Sequence, residues 1–141
     1  MARPADVGKQ AIAVLDASVV VELLLSDMAT LPHGYTFVAP AHLDAEVTSA
    51  LARLWRAGAI SSRAVDDMLV GLAEFGIERM PLQPLLAAAF ELRENVTQRD
   101  SLYVALARLL DGALVTRDQR LASVCSQLRL CSVVVWNQGW T

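Results

Sequence analysis

The stretch Ala11-Ile12-Ala13-Val14-Leu15-Asp16-Ala17-Ser18 constrains the fold more than any other in the chain. A continuous apolar run that ends in a carboxylate and small residues reads as a buried central strand, with a polar break where the chain leaves the sheet. In open α/β sheets, ligands bind beyond the carboxyl ends of the strands. Asp16 occupies that position. It is the first of several acids, scattered in sequence, that are expected to meet at that edge and hold a divalent metal.

Further along, strand and helix patterns alternate. Strand one covers Ile12 to Leu15, and a helix follows from Ser18 to Leu25 with Ser18 near its N-cap. Ser26 to Gly34 reads as a loop and Tyr35 to Ala39 as a second strand. Pro40 is expected to open a helix that Gly58 closes. Its apolar face is Leu43, Val47, Ala50, Leu51 and Leu54. Ser61 or Ser62 opens the next helix, with Val65, Met68, Leu69, Leu72 and Phe75 inward and Gly76 at its end. Ile77 to Leu82 is a third strand, shortened by Pro81. Pro84 starts a helix through Leu85, Ala88, Ala89 and Leu92. Thr97 starts another, with Tyr103, Leu106, Leu109 and Leu110 inward and Gly112 as terminator. Ala113 to Thr116 is a fourth strand, Asp118 to Gln127 a short helix, and Leu128 to Trp136 a fifth strand. Such alternation predicts an α/β fold: a central parallel sheet of four to five strands with helices on both faces. The domain spans 11–136, between a polar arm at 1–10 and a tail at 137–141.

Composition narrows the classes. A chain of 141 residues can bury one sizeable core, and 55% hydrophobic with 19% charged residues excludes a disordered chain. The mean hydropathy of +0.40 is high enough to suggest apolar surface covered by a partner. Asp16 and Glu22 interrupt the richest apolar run, and the first residues carry no signal pattern. A cytoplasmic protein without a membrane span is expected. Cys125 and Cys131 have neither metal-type spacing nor a disulfide framework, and both read as reduced and structural. A net charge of −3 argues against a globally basic surface, but a nuclease can place acids at a metal and arginines around them. Lys9 is the only lysine, so the remaining cations are arginines, whose planar fork suits phosphate and carboxylate alike.

Three acids stand out by position. Asp16 follows strand one, Asp118 follows strand four after Leu114-Val115-Thr116-Arg117, and Asp100 sits in the first turn of the helix before strand four. If strands one and four are neighbours, Asp16 and Asp118 come together. The long second helix offers two further acids, Glu46 and Asp44, at similar angles on opposite shoulders of its apolar stripe, and helix geometry does not choose between them. Taken singly, each acid also reads as a helix cap or a solvated charge. Gathered at one edge, they would repel one another without a counter-charge. A Mg²⁺ or Mn²⁺ ion supplies that charge through oxygen ligands. Metal-assisted phosphodiester hydrolysis is the reaction class such a group serves. The His and Cys ligands of a zinc site are missing.

At these residues the chain resembles the PIN-domain ribonucleases, and more closely the VapC toxins of VapBC toxin–antitoxin pairs. The resembling motifs are Val14-Leu15-Asp16-Ala17-Ser18-Val19-Val20-Val21-Glu22-Leu23-Leu24, Asp44-Ala45-Glu46-Val47-Thr48-Ser49-Ala50-Leu51, Arg99-Asp100-Ser101-Leu102-Tyr103-Val104-Ala105-Leu106-Ala107 and Leu114-Val115-Thr116-Arg117-Asp118-Gln119-Arg120-Leu121-Ala122. They follow the family's order across nearly the whole domain. The resemblance implies Asp16, Glu46, Asp100 and Asp118 as catalytic, metal-holding acids, and so prefers Glu46 to Asp44. It further implies Mg²⁺ or Mn²⁺ dependence, RNA cleavage, homodimerisation, a VapB-like antitoxin partner, and contact with DNA only through that antitoxin. Ser18 and Thr116 match small polar positions that support the acids. The chain departs from the pattern at Arg99, where relatives often carry a smaller or aromatic residue, and at Gln119 and Arg120, where some carry an extra acid.

Other residues carry weaker signals. Arg117 and Arg120 flank Asp118 and read as surface cations or as contacts for an RNA phosphate or an antitoxin carboxylate. Glu22 is left out of the metal set. His33 and His42 are single histidines, and Trp55, Trp136 and Trp140 read as core or interface. Two other functions compete with the ribonuclease. One is a PIN-shaped module of weak activity that pairs with an antitoxin in a DNA-binding repressor complex. The other is a haloacid-dehalogenase-like phosphatase using Asp16 as nucleophile; such enzymes carry a second Asp two residues on, where this chain has Ser18.

Overall fold

The computed structural model describes residues 10–26 and 31–137. All but the last residue of the 1–10 arm, part of the loop after Ser26, and 138–141 of the tail with Trp140 therefore lie outside the described residues. Five strands, β1 (Ala11–Leu15), β2 (Tyr35–Pro40), β3 (Glu78–Met80), β4 (Ala113–Thr116) and β5 (Ser132–Val135), form one parallel sheet in the order β3-β2-β1-β4-β5. Among the described residues six helices connect them: α1 (Ala17–Leu25), α2 (Leu43–Arg56), α3 (Ser62–Glu74), α4 (Leu86–Glu91, after a 3₁₀ turn at Gln83–Leu85), α5 (Gln98–Leu109) and α6 (Gln119–Gln127).

The strand order sets the position of the site. From β1 the chain winds outward through β2 to β3, then crosses back to β4 on the other side of β1. Right-handed crossovers put α1, α2 and α3 on one face and α4, α5 and α6 on the other. The contacts agree: α1 packs on α2 and α3, and α5 packs on α4, β1, β2 and β4. The winding reverses between β1 and β4, which opens a crevice at their carboxyl ends. Val14, Leu15, Leu114 and Val115 are all buried, as the continuous apolar runs predict. Each such side chain contributes about 1.5–3 kcal/mol by leaving water. Because α5 lies across three strands, Ser101 and the run Tyr103 to Ala107 are buried on nearly every side of it.

Several element boundaries differ from expectation. Asp16, not Ser18, caps α1: its side chain accepts from the Val19 N–H. Pro40 does not open a helix. It ends β2, and α2 begins at Leu43 after the N-cap His42. The third strand keeps only Glu78–Met80 of the expected Ile77 to Leu82, and the fifth only Ser132–Val135 of Leu128 to Trp136. Both are edge strands, where one row of ladder partners is lacking. Trp136 is nonetheless buried, and its backbone N–H bonds the Thr116 carbonyl at 2.8 Å. Of the expected inward face of α3, only Leu72 is fully buried, and Leu109 of α5 points outward at 62% exposure. Cys125 is buried and Cys131 half-buried, both as free thiols. Among the described residues no helix is long and apolar enough to cross a membrane.

Gly112 also has a different role from the one its place after a helix suggests. The left-handed residue that ends α5 is Asp111, with φ 51°, and the Gly112 N–H closes the turn on the Ala107 carbonyl at 2.9 Å. Glycine is required at 112 because β4 enters there against β1. A Cβ at that position would stand 2.8 Å from the Ile12 carbonyl oxygen and 2.9 Å from Ile12 Cγ2. Gly112→Ala is therefore expected to lower stability by about 1–3 kcal/mol through overpacking against backbone, measured by urea unfolding. A variant as stable as the parent would show that β1 and β4 can separate without penalty.

Candidate active site

Asp16 extends the β1–β4 ladder by one step, its N–H bonding the Val115 carbonyl at 3.2 Å. The register that sets Leu15 beside Val115 brings Asp16 beside Thr116, and the Thr116 hydroxyl bonds Asp16 Oδ2. Asp16 Oδ1 accepts from Ser18 Oγ at 2.6 Å and from the Val19 N–H at 3.2 Å. Ser18 Oγ in turn accepts from the Arg117 N–H at 3.2 Å, and Thr116 Oγ1 from the Asp118 N–H at 3.0 Å. The Ser18 and Thr116 hydroxyls thus join both strand ends to one carboxylate.

Asp16 is 6% exposed. Hydrogen bonds to a charged acceptor stabilise it by about 1.5–3 kcal/mol each. Burial still outweighs them and pushes the carboxyl above its ordinary range, against the pull of Ser18, Thr116 and the Val19 N–H, with the Asp100 charge adding to the rise.

Asp100 lies in the first turn of α5, which Thr97 caps by accepting from its N–H at 3.4 Å. Its carboxyl is also pushed up, first by burial, then by the negative charges of Asp118 and Glu46, with Thr97 and Arg99 pulling the other way. Asp118 caps α6 with one oxygen, Oδ1, which accepts from the N–H groups of Arg120 at 2.9 Å and Leu121 at 3.1 Å. Asp100 and Asp118 line a single recess of about 200 Å³ with Thr97, Asn95 and Arg120.

The structure separates the two acids of α2. Asp44 turns to β3, where Arg79 holds it through two bonds of 2.8 and 3.2 Å. Glu46 turns to α5, where the buried Tyr103 hydroxyl donates to its Oε1 at 2.7 Å. His42 Nε2 lies 3.3 Å from the same oxygen and 3.1 Å from the Arg99 carbonyl. Both neighbours are acceptors, which assigns the ring proton to Nε2. Burial, then the bond and charge of Glu46, hold the Tyr103 phenol protonated well above its ordinary range, so it remains a donor.

Tyr103 and His42 are parts of this site that the sequence reading placed elsewhere, Tyr103 in the core and His42 alone. Their spacing held a signal: Tyr103 stands three residues after Asp100 and His42 four before Glu46, each on a shared helix face. Of the flanking cations, Arg117 pairs with Glu22 at 2.7 Å, and Arg120 lines the Asp100–Asp118 recess.

All four acids thus face one end of the sheet, near enough for Asp100 to feel the charges of Glu46 and Asp118 and for Asp16 to feel Asp100. Among the described residues no three His, Cys, Asp or Glu side chains close into a formed metal cluster. The donor set is nonetheless all carboxylate oxygen, and its members repel one another. That chemistry fits a hard divalent cation and fits zinc poorly.

Without metal, the raised Asp100 carboxyl has a definite sign. The folded state holds its proton more tightly than the unfolded chain, whose value lies near 3.8. Its contribution to stability is therefore complete below that pH and is lost as pH rises through the folded value. Asp100→Asn is expected to melt above the parent at neutral pH in chelator, with the gap closing in acid. A gap that stays constant with pH would contradict this.

The profile of the PIN domain matches residues 13–127 of the chain. Ribonuclease VapC3 of Mycobacterium tuberculosis is 42% identical over 115 residues, covering 77% of this chain and 84% of that protein. Ribonuclease VapC12 of the same organism is 39% identical over 114 residues, covering 77% and 88%. VapC ribonuclease Mb0985 of Mycobacterium bovis is 32% identical over 111 residues, covering 77% and 87%. With a parallel five-stranded sheet carrying acids at its reversal point, the chain belongs to the PIN-domain family, among its VapC members.

Proposed function

We propose that the protein is a Mg²⁺- or Mn²⁺-dependent endoribonuclease, the toxin of a type II toxin–antitoxin pair, with Asp16, Glu46, Asp100 and Asp118 as its catalytic acids. What carries this reading is the gathering of acids from separate segments around the β1–β4 crevice, in a chain 42% identical to a protein named a ribonuclease. The four carboxylates would hold the cation, which when bound lowers the pKa of water and stabilises charge on a phosphoryl oxygen.

The chain's own residues do the positioning. Ser18, Thr116 and the Val19 N–H fix both oxygens of Asp16. Tyr103 and His42 fix Glu46. Asp118 spends one oxygen on its helix cap and keeps the other out of it. Asp100 shares the recess with Asp118, where a phosphodiester would lie. Arg117 and Arg120 flank Asp118 in sequence and would contact an RNA phosphate or an antitoxin side chain.

The partner reading rests on exposed apolar surface. Trp55 is 51% exposed and Leu69 39%, and they share a groove between α2 and α3 with Leu51 and Val65. Leu86, Phe90 and Leu109 are also exposed. A VapB-like antitoxin and a second copy of the chain would cover such surfaces. In this reading the protein works in the cytoplasm as a homodimer, and meets DNA only through its antitoxin. The antitoxin restrains activity by filling the acidic cleft with a basic side chain.

Expression without a partner is expected to arrest growth and fragment RNA. Asp16→Ala should lower metal-dependent cleavage by about 10²–10³-fold, read on purified protein. Asp16 also caps α1, a role worth about 1 kcal/mol, so Asp100→Asn provides a second variant without that cap. Cleavage unchanged in both would refute the assignment.

A further inference from the structure

We propose that the groove between α1 and α2 is the track for the RNA backbone, with Arg53, Arg99 and Arg117 holding successive phosphates on one side of the acids. This rests on the ribonuclease reading and adds the residues that bind the substrate chain. The groove has a volume of about 400 Å³, and the three arginines line it together with Ser18, Glu22 and Glu46. Glu46 belongs equally to the acid group, so a chain lying in the groove leads directly to it.

The structural tasks of the three arginines are slight, and each leaves the guanidinium on the groove. Arg99 sits in the first turn of α5, where the helix dipole favours an acid and disfavours a cation. Its side chain is 80% exposed, and its nearest acid, Glu46, is 3.9 Å away. Arg117 is held by Glu22 at 2.7 Å, with side-chain exposures of 40% and 38%. Such a pair contributes about 0–1 kcal/mol and can open when a phosphate arrives. Arg53, in the last turn of α2, is exposed and suits the dipole there, yet it also turns into the groove.

Charge divides the site accordingly. The groove carries three guanidiniums against two carboxylates, whereas the recess on the other side carries Asp100 and Asp118 against Arg120. A polyanion is therefore drawn in along α1 and α2, and only its reacting phosphate is brought over the acids. Guanidinium forks take phosphate oxygens in pairs, which orients the chain as well as attracting it.

The test is binding without chemistry. A short labelled RNA of mixed sequence is titrated with the full chain in EDTA, by fluorescence anisotropy, between about 50 and 200 mM salt. The parent is expected to bind, with affinity falling steeply as salt rises. Replacing all three arginines by Ala should weaken binding at least tenfold and flatten the log–log salt slope by about 2, since each lost single-strand phosphate contact removes about 0.7. The triple Lys variant should keep the slope, and Arg63→Ala, outside the groove, should change nothing. Should the triple Ala variant fail to fold, the exposed Arg99→Ala alone is expected to flatten the slope by about 0.7.

An unchanged slope, or no RNA binding by the parent, would overturn the proposal. So would arginine-dependent binding of a glutamate-rich peptide in place of RNA, which would make the groove a protein-docking site. Arginine-dependent RNA binding by a parent that never cleaves would leave the track standing and remove the ribonuclease reading.

Discussion

The Asp16 carboxylate bridges the two strands between which the winding of the sheet reverses. One of its oxygens accepts from the Thr116 hydroxyl across the β1–β4 seam, and the other from Ser18 and the first turn of α1. Much of the site depends on that junction. Thr116 also positions the Asp118 backbone, and Ser18 the Arg117 backbone, so the end of β4 is organised around an acid from the end of β1. A carboxylate so deeply buried is destabilised by lost hydration, and its hydrogen bonds only partly offset that. The fold tolerates the penalty because the core beneath, from Val14 and Leu15 to Leu114 and Val115, is continuous and apolar.

The second pair of acids comes from the helices. Glu46 is fixed from α5 by Tyr103 and from its own helix by His42, while His42 also bonds the carbonyl of Arg99. The same contacts therefore orient Glu46 and tie the start of α2 to the residue beside Asp100. The acids are pre-positioned but not drawn tightly together. The negative charges of Glu46 and Asp118 act on Asp100, and a cation between them would relieve that repulsion.

Much of this was legible in the sequence, for identifiable reasons. Strands buried on both faces write themselves as unbroken apolar runs, so β1 and β4 were visible, and with them the places of Asp16 and Asp118. Neighbouring strands one and four were a condition of that reading, and the sheet order meets it. The choice between Asp44 and Glu46 was not legible from helix angle, since both flank the apolar stripe. It turns on tertiary partners, Arg79 from β3 for one and Tyr103 from α5 for the other. Edge strands show weaker patterning, and β3 and β5 are shorter than their apolar runs predict. Pro40 ends β2 where the sequence predicts a helix start, because a proline suits the end of a strand as well as the start of a helix. Gly112 reads from the sequence as a helix terminator, whereas its close contact with Ile12 lies in the fold and not in the local sequence.

The central claim is that repulsion among these carboxylates makes a binding place for a divalent cation. The most direct measurement is a Mn²⁺ titration of the metal-free protein, followed by the electron paramagnetic resonance of free Mn²⁺ and repeated on a variant with Asp16, Glu46, Asp100 and Asp118 replaced by their amides. The account predicts saturable binding by the parent, accompanied by a rise in melting temperature, and loss of both in the amide variant while its fold is retained. Equal Mn²⁺ uptake by the two proteins, or none by the parent at millimolar metal, would contradict it.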